Sequence, residues 1–445
     1  MTDRLLSFVQ HPLGRRLARA LNLPQPVTLA RRQDAWTDKE LAGRTVLAIA
    51  PASTAPMPSL LAAIVAEGGS SSGDAPVQSL IVDATGCRDV AALHALFEQA
   101  QHAVARLAPR GRVLALTSSG VTSAAEAACL QAVQGFIRAL AKEIGRRGAT
   151  ANALVLQEGA ASATALAGAL RFFATDRSAY VSGQVLAWRK EPDPSTAASI
   201  DATDRVRVAL ITGAAGGIGA ATARRLALDG WRVLGIDVPA ARAPLEGLAR
   251  EIGGALLAAD LTAPGALDEL IDAVRRLGGI DLLVHNAGIT RDRTLARMSV
   301  AEWDAVMAVN LAAVLAIDAR LDEAGLLNAG AREVCLSSIS GIAGNAGQTN
   351  YSASKAALIG YAAARAAAMD AIGGTINAVA PGFIETAMTR RMPVMVREAG
   401  RRLNALKQGG TPGDVAEAIA FLASPGARAL TGQVLRVCGQ SLLGA

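Results

Sequence analysis

Short apolar runs recur along this chain, separated by longer stretches with helical periodicity, and the alternation is most regular after position 206. VRVALITG, WRVLGID, ALLAADLT, IDLLVHNAG, REVCLSSIS and GTINAVAPG read as strands, each separated from the next by a helix-length segment. The first such segment, GIGAATARRLALDG, is stopped by Gly230. Strands that alternate with helices form a parallel sheet covered on both faces, which predicts a doubly wound α/β domain.

The pattern occurs twice. GRTVLAIAP, QSLIVDATG, RGRVLALTSSG and YVSGQVLAWR repeat, in the same order and more weakly, the strand segments of the second half. The helix-bearing stretch from Gln134 to Gly159 likewise matches the one from Ile359 to Phe383. We read an internal duplication: two tandem doubly wound parallel-sheet (Rossmann-like) domains, the N-terminal one degenerate. Residues 1–190 form a Rossmann/flavodoxin-like domain, 191–205 a linker within the charged, Ser/Thr-rich WRKEPDPSTAASIDATDR, and 206–445 the catalytic domain. Setting Gly135 against Gly360 places Glu126 opposite Tyr351 and Leu130 opposite Lys355. The loop after TVLAIA, PASTAPMPS, has no glycine. The first copy therefore lacks the chemistry-bearing residues of the second.

Composition narrows the class. The longest uncharged stretch, Thr45–Ala66, is broken by Pro51, Pro56 and Pro58, so it predicts strand, loop and helix in place of a membrane span. Four scattered cysteines and four scattered histidines offer neither a disulfide framework nor a metal site. The N-terminus carries charges throughout and no apolar signal core. A reducing cytoplasm is the expected setting. The net charge of +6 predicts a solvated arginine-rich surface, and no motif points to nucleic acid.

Two constellations carry chemistry. In ITGAAGGIGAATA, Gly213, Gly217 and Gly219 follow a strand and open a helix. Glycine lets the backbone approach a pyrophosphate, and the helix N-terminus offers free N–H groups to it. Asp237 ends the next strand, where a carboxylate accepts hydrogen bonds from the adenosine ribose and repels a 2′-phosphate. Gly216 supplies no cation for that phosphate, although Arg242 lies nearby; NADH is expected over NADPH. Tyr351 and Lys355 share one helix face at i and i+4. An ammonium beside a phenol lowers its pKa toward neutral pH and tunes it for proton transfer. Ser338, at the end of REVCLS, is placed to hydrogen-bond a carbonyl oxygen.

These residues resemble the short-chain dehydrogenase/reductase family across nearly the whole second half. TGAAGGIG looks like its cofactor loop, HNAG like its usual NNAG with His285 in place of asparagine, Asn310 in AVMAVNL like its helix asparagine, and PGFIETAMT like the segment after its sixth strand. Within the family, HNAGITRDRTLARMSVAEW, GQTNYSASKAAL and PGFIETAMT are similar to 3-oxoacyl-acyl-carrier-protein reductases. The extra domain resembles the high-molecular-weight form of that reductase. The resemblance implies a tetrad of Asn310, Ser338, Tyr351 and Lys355. It implies a cofactor site comprising Gly213, Gly217, Ile218, Gly219, Asp237, Asp260, Leu261, Asn286, Ala287, Gly288, Tyr351, Lys355, Pro381, Gly382, Ile384 and Thr386. In it, Asp260 contacts the adenine, Lys355 the nicotinamide ribose, and Thr386 the nicotinamide amide or pyrophosphate. Asn310 holds a water that relays protons to Lys355. The implied reaction is NADH-dependent reduction of a 3-oxoacyl thioester, on acyl-carrier-protein or CoA, by a homodimer or tetramer. Acetoacetyl-CoA reduction, another alcohol oxidation, or an NAD-responsive scaffold are the alternatives. TRRMPVMVREAGRR lies at the family's substrate lid; Arg390, Arg391, Arg397, Arg401 and Arg402 either meet an acidic carrier or CoA phosphates, or decorate a solvated helix.

Overall fold

A computed structural model describes residues 3–21, 25–71, 73–190, 205–390 and 392–441. The proposed linker lies outside the described residues, apart from Arg205, which pairs with Asp281.

The chain opens with helices α1 (Arg4–Gln10) and α2 (Pro12–Ala20). The first sheet is built from β1 (Thr45–Ile49), β2 (Ser70–Ser71), β3 (Val77–Asp83), β4 (Leu107–Ser118), β5 (Thr150–Leu156) and β6 (Val185–Trp188). Helices α3 (Pro56–Ala66), α4 (Val90–Ala105), α5 (Ala124–Gly145) and α6 (Ala163–Phe173) connect them. Strand order is β2-β1-β3-β4-β5-β6, the flavodoxin-like winding. The uncharged stretch from Thr45 to Ala66 is indeed strand, loop and helix.

The second sheet contains β7 (Val208–Thr212), β8 (Arg232–Asp237), β9 (Ala255–Ala258), β10 (Ile280–His285), β11 (Leu327–Leu336), β12 (Thr375–Pro381) and β13 (Val434–Val437). All seven are parallel, in the order β13-β12-β11-β10-β7-β8-β9. Its helices are α7 (Gly217–Leu228), α8 (Arg242–Ile252), α9 (Ala266–Arg276), α10 (Val300–Met307), α11 (Ala313–Glu323), α12 (Ile339–Ala343), α13 (Thr349–Asp370), α14 (Ala387–Arg390), α15 (Val394–Arg402) and α16 (Pro412–Ala423). The winding reverses between β7 and β10, which opens a crevice at their C-terminal ends, the usual ligand position in such sheets.

Hydrogen bonds bear out the duplication. Asn152 Nδ2 donates to Val181 O at 3.0 Å, and Asn377 Nδ2 to Leu430 O at 2.9 Å. Gln184 N donates to Asn152 Oδ1, and Gln433 N to Asn377 Oδ1. The two glutamines then reach across: Gln184 Oε1 accepts from Arg436 N at 3.1 Å, and Gln433 Oε1 from Ala187 N at 3.2 Å. The copies are thus joined about a local two-fold, on which Phe172 and Phe421 stack at 4.4 Å with an interplanar angle of 3°. The asparagines are 225 positions apart and the glutamines 249, so the second copy has 24 more residues between these points. That insertion falls in the stretch holding α14 and α15, over the crevice.

A single hydrophobic core runs through the join, from Trp188, Phe173 and Tyr180 to Leu406, Ile419 and Phe421. Charge is buried there too. Arg177, fully buried, meets Glu40 at 2.9 Å and Glu417 at 3.3 Å. Glu417 in turn pairs with Arg225 of α7 at 2.5 Å.

The stretch Val300–Glu323 is long and apolar enough to cross a membrane by length and composition. It packs onto the second domain through Val306, Val314 and Ile317, and its Asn310 and Asp318 are buried and hydrogen-bonded.

Candidate active site

The crevice of the second domain is built on glycine geometry. Gly213 leaves β7 at φ 66° and Gly217 enters α7 at φ 55°, both left-handed values that side chains avoid. A Cβ on Gly219 would stand 2.2 Å from Gly213 O, so only glycine lets the helix start this close to the strand. Asn286 Nδ2 holds the turn, donating to Thr212 O and Gly213 O at 2.9 Å each. Thr212 Oγ1 accepts from the backbone N–H groups of Asn286 and Ala287. Ile218 packs half-buried against the core. Asp237 Oδ2 accepts from Ala215 N at 2.9 Å and fixes the middle of the loop.

Beside the loop is a cavity of about 140 Å³ lined by Gly213, Asp237, Asp260, Leu261, His285 and Ala287, among others. The Asp260 carboxylate accepts from the side chain and N–H of Thr262, bonds that hold it below the usual range. An apolar slot with a carboxylate at its mouth and free helix N–H groups beside it fits an adenosine and its pyrophosphate.

The reactive side chains meet next to this cavity. Asn310 lies in a π-helical turn, Ala308–Ala312, between α10 and α11, a distortion common at functional sites. It is fully buried; Oδ1 accepts from Ile289 N at 2.8 Å, and Nδ2 donates to Ile289 O and to Ser354 Oγ. Ser354 Oγ donates to Tyr351 O at 2.8 Å, which ties the asparagine to the Tyr351 turn. Ser338 caps α12, and its hydroxyl is the side-chain partner of the Tyr351 phenol. The Ser337–Ser338 doublet is resolved by burial: Ser337 Oγ turns inward and donates to Lys355 O at 2.7 Å. Lys355 is 4% exposed, and its Nζ donates to Leu336 O at 2.6 Å and stands 5.8 Å from the Tyr351 ring centroid. Gly288 faces both, since a Cβ there would lie 3.2 Å from Lys355 Nζ and 3.4 Å from Asn310 Oδ1.

Burial brings Lys355 down to about 8. The i, i+4 spacing predicted a lowered Tyr351 pKa, and the structure reverses this. Burial pushes the phenol up, and the Ser338 hydrogen bond offsets only part of that. Lys355 Nζ, directed at Leu336 O and 5.8 Å from the ring centroid, does not reverse that rise.

The rim of the crevice comes from the segment after β12. Pro381 ends the strand, Gly382 N donates to Val437 O, and Ile384 is buried. Thr386 comes within van der Waals reach of the loop: its Cγ2 is 3.9 Å from a Cβ built on Gly217. The lid hypothesis needs correction. Arg401 is 3% exposed and held by Glu385 and Glu398; Arg402 is paired with Asp3 at 2.6 Å. Neither is available to an acidic partner. Arg391 lies outside the described residues, which leaves exposed Arg390 and half-buried Arg397. The apolar half of the hypothesis stands better, with Met388, Val394, Met395 and Val396 at least half exposed.

His285 had no assigned partner in the sequence. It is buried, with Nε2 2.8 Å from Asp318 Oδ1, while Tyr361 donates to Asp318 Oδ2 at 2.6 Å and Arg365 and Glu333 flank the carboxylate. Burial pulls the imidazole down, but the charge and hydrogen bond of Asp318 outweigh it and raise its pKa. A raised pKa adds stability that is present below about 6.5, the ordinary value, and lost as pH rises through the folded value. Wild type should therefore lose more thermal stability between pH 6 and pH 9 than His285→Asn. Parallel melting curves would refute the pairing.

In the first domain the equivalent positions carry hydrogen bonds of a different kind. Thr54 and Thr85 both donate to Asp83, the counterpart of His285, at 2.5 and 2.7 Å. Glu126, the counterpart of Tyr351, is held by Arg88 and Thr122.

The family model described as enoyl-(acyl carrier protein) reductase matches residues 213–439. The chain is 40% identical over 239 residues to the 3-oxoacyl-[acyl-carrier-protein] reductase FabG of Thermotoga maritima. It is 38% identical over 234 residues to the reductase of the same name in Vibrio cholerae, and 41% identical over 236 residues to nodulation protein G of Rhizobium sp. (strain N33). Each match covers 52% of this chain and 96% of the relative.

Proposed function

The chain belongs to the short-chain dehydrogenase/reductase family, and from that premise we propose that it is an NADH-dependent 3-oxoacyl-thioester reductase acting on acyl-carrier-protein or CoA substrates. The observation that carries the reading is the linkage of four side chains, with Asn310 and Lys355 facing Gly288, Ser338 hydrogen-bonded to Tyr351 and Ser354 joining Asn310 to the Tyr351 turn, next to a glycine loop pinned by Asp237.

The residues fit the cofactor as follows. The N–H groups at the start of α7 hold the pyrophosphate, Asp237 the adenosine ribose, and Asp260 with Leu261 the adenine. Lys355 and Thr386 reach the nicotinamide end, along a path lined by Asn286, Ala287, Gly288, Pro381, Gly382 and Ile384. When bound, the reduced nicotinamide supplies the hydride. Ser338 and Tyr351 hold the 3-oxo oxygen between their hydroxyls. Tyr351 gives its phenolic proton to the oxygen as negative charge develops there. Lys355, cationic below about pH 8, stabilises the phenolate that is left. Asn310 fixes the backbone at Ile289 and the Ser354 turn beneath Tyr351, and positions the water that returns a proton to Lys355.

The outer face of α11 and α13, with Leu315 and the alanines 363, 364, 367 and 368 exposed, supports a homodimer joined through these helices. A cytoplasmic setting suits the carrier-bound substrate.

Oxidation of NADH and NADPH with acetoacetyl-CoA tests the reading. Wild type should turn over with NADH. Asp237→Ser should raise kcat/KM for NADPH by at least about tenfold, ~1.4 kcal/mol, by removing a like charge from the 2′-phosphate. Equal use of both cofactors by wild type would remove Asp237 from the argument.

A further inference from the structure

Between the domains lies an open-sided cavity of about 420 Å³, within the ~300–1,000 Å³ of small-molecule sites. Arg138 of α5 and Val185 of β6 line it from one side; Ile342 of α12, Ile359 of α13, and Val434 and Arg436 of β13 line it from the other. Neither domain makes the site alone. The backbone carbonyl of Arg138 accepts from Gln440 Nε2 at 2.7 Å, while its guanidinium makes no ion pair among the described residues. Guanidinium and branched aliphatic side chains in one cavity match an amphiphilic anion. A carboxylate takes the fork of Arg138, and a hydrocarbon chain covers the isoleucines and valines. Phosphate would leave the apolar wall wet, and an uncharged chain would leave the cation unused.

The far wall is the back of the catalytic segment. Ile342 and Ile359 lie one helical turn beyond Ser338 and Lys355. Between them Gly341 packs so closely that a Cβ would stand 2.7 Å from the Lys355 carbonyl carbon, and Gly341 N donates to Ser338 O at 3.0 Å. Pressure on Ile342 is therefore transmitted to the turn that presents Ser338 to Tyr351.

We propose that this interdomain cavity binds a medium-chain carboxylate, and that its occupant displaces the Ser338 turn and slows turnover without competing for the cofactor. This goes beyond the reductase reading, and its binding half stands independently of it.

Calorimetric titration of the full chain with decanoate tests it, with inorganic phosphate and decanol as controls. Decanoate should bind once per chain, at least tenfold more tightly than either control. Arg138→Gln should weaken binding at least tenfold, Arg138→Lys should retain it, and Val185→Trp should abolish it by filling the cavity. Decanoate should lower kcat at unchanged cofactor KM in wild type and not in Arg138→Gln, whose activity without decanoate should match wild type. Binding undiminished in Arg138→Gln, phosphate binding as tightly as decanoate, no saturable binding, or inhibition competitive with the cofactor would each overturn the proposal. Calorimetry decides the site even if acetoacetyl-CoA is not a substrate.

Discussion

Tyr351→Phe should cut acetoacetyl-CoA turnover by about 10²–10⁴-fold, the range for removing a positioned general acid, with a much smaller effect on cofactor affinity. The phenol hydrogen-bonds Ser338 from the helix that carries Lys355, and phenylalanine keeps the ring while deleting the proton. The packing of α13 does not depend on the hydroxyl, because Asn310 and Ser354 tie to the Tyr351 backbone. A pH profile separates the partners. With Lys355 brought down to about 8 by burial, kcat/KM of wild type should fall as pH rises through about 8, where the free enzyme loses that cation. Tyr351→Phe with wild-type turnover would end the proton-donor role. A flat profile from pH 7 to 9.5 would end the lysine's.

Much of this site was legible from sequence because its parts are local. A glycine loop between strand and helix, an acid at the end of the next strand, and a Tyr–Lys pair one turn apart each lie within one element, and apolar runs separate those elements cleanly. The duplication was legible for the same reason, and the cross-domain glutamine bonds arise from the repeated GQV that leads into β6 and β13. What failed was whatever depended on distant partners or on solvent. Arg401 and Arg402 read as free cations in a local window. Glu398 of the same stretch pairs with both, but the partners that bury them are farther off: Glu385 for Arg401, and Asp3, 399 positions away, for Arg402. Spacing put Lys355 near Tyr351 but said nothing of their common burial, which sets the direction of both shifts. His285 stood out only as a departure from NNAG; its partners Asp318 and Tyr361 are on two later helices. Helices α1 and α2 went unread, although Asp3 as an N-cap and leucines 13, 17 and 21 at helical spacing were available signals.

Arg177→Leu should destabilise the protein by about 3 kcal/mol at pH 7.5, the low end of the cost of removing one partner from a buried ion pair, because Arg32 still reaches Glu40 and Arg225 still reaches Glu417. Arg177 belongs to the domain without a cofactor loop, yet it is fully buried against Glu40 of the N-terminal segment and Glu417 of α16. Both carboxylates stay in place when it is removed. They already differ. Burial opposes ionisation at each, but Glu40, hydrogen-bonded by Arg177 and Thr37, is held below the ordinary value, whereas burial pushes Glu417 up to about 7 despite Arg225 and Arg177. A carboxyl with a raised folded pKa costs stability as pH rises from about 4.5 to 7, so the variant should recover as pH falls and the under-paired carboxylates take up protons. Measured by urea unfolding, the deficit of Arg177→Leu should shrink by at least half between pH 7.5 and pH 5. A deficit below about 1 kcal/mol at pH 7.5, or one that does not change with pH, would mean that this charge cluster does not hold the domains together. The cluster also reaches the active site's scaffold. Glu417 grips Arg225 near the C-terminus of α7, and Trp36 N, beside Arg177, donates to Asp229, which ends the same helix. The glycine loop lies at the opposite end of that twelve-residue rod. The first domain thus anchors the helix that carries the second domain's glycine loop.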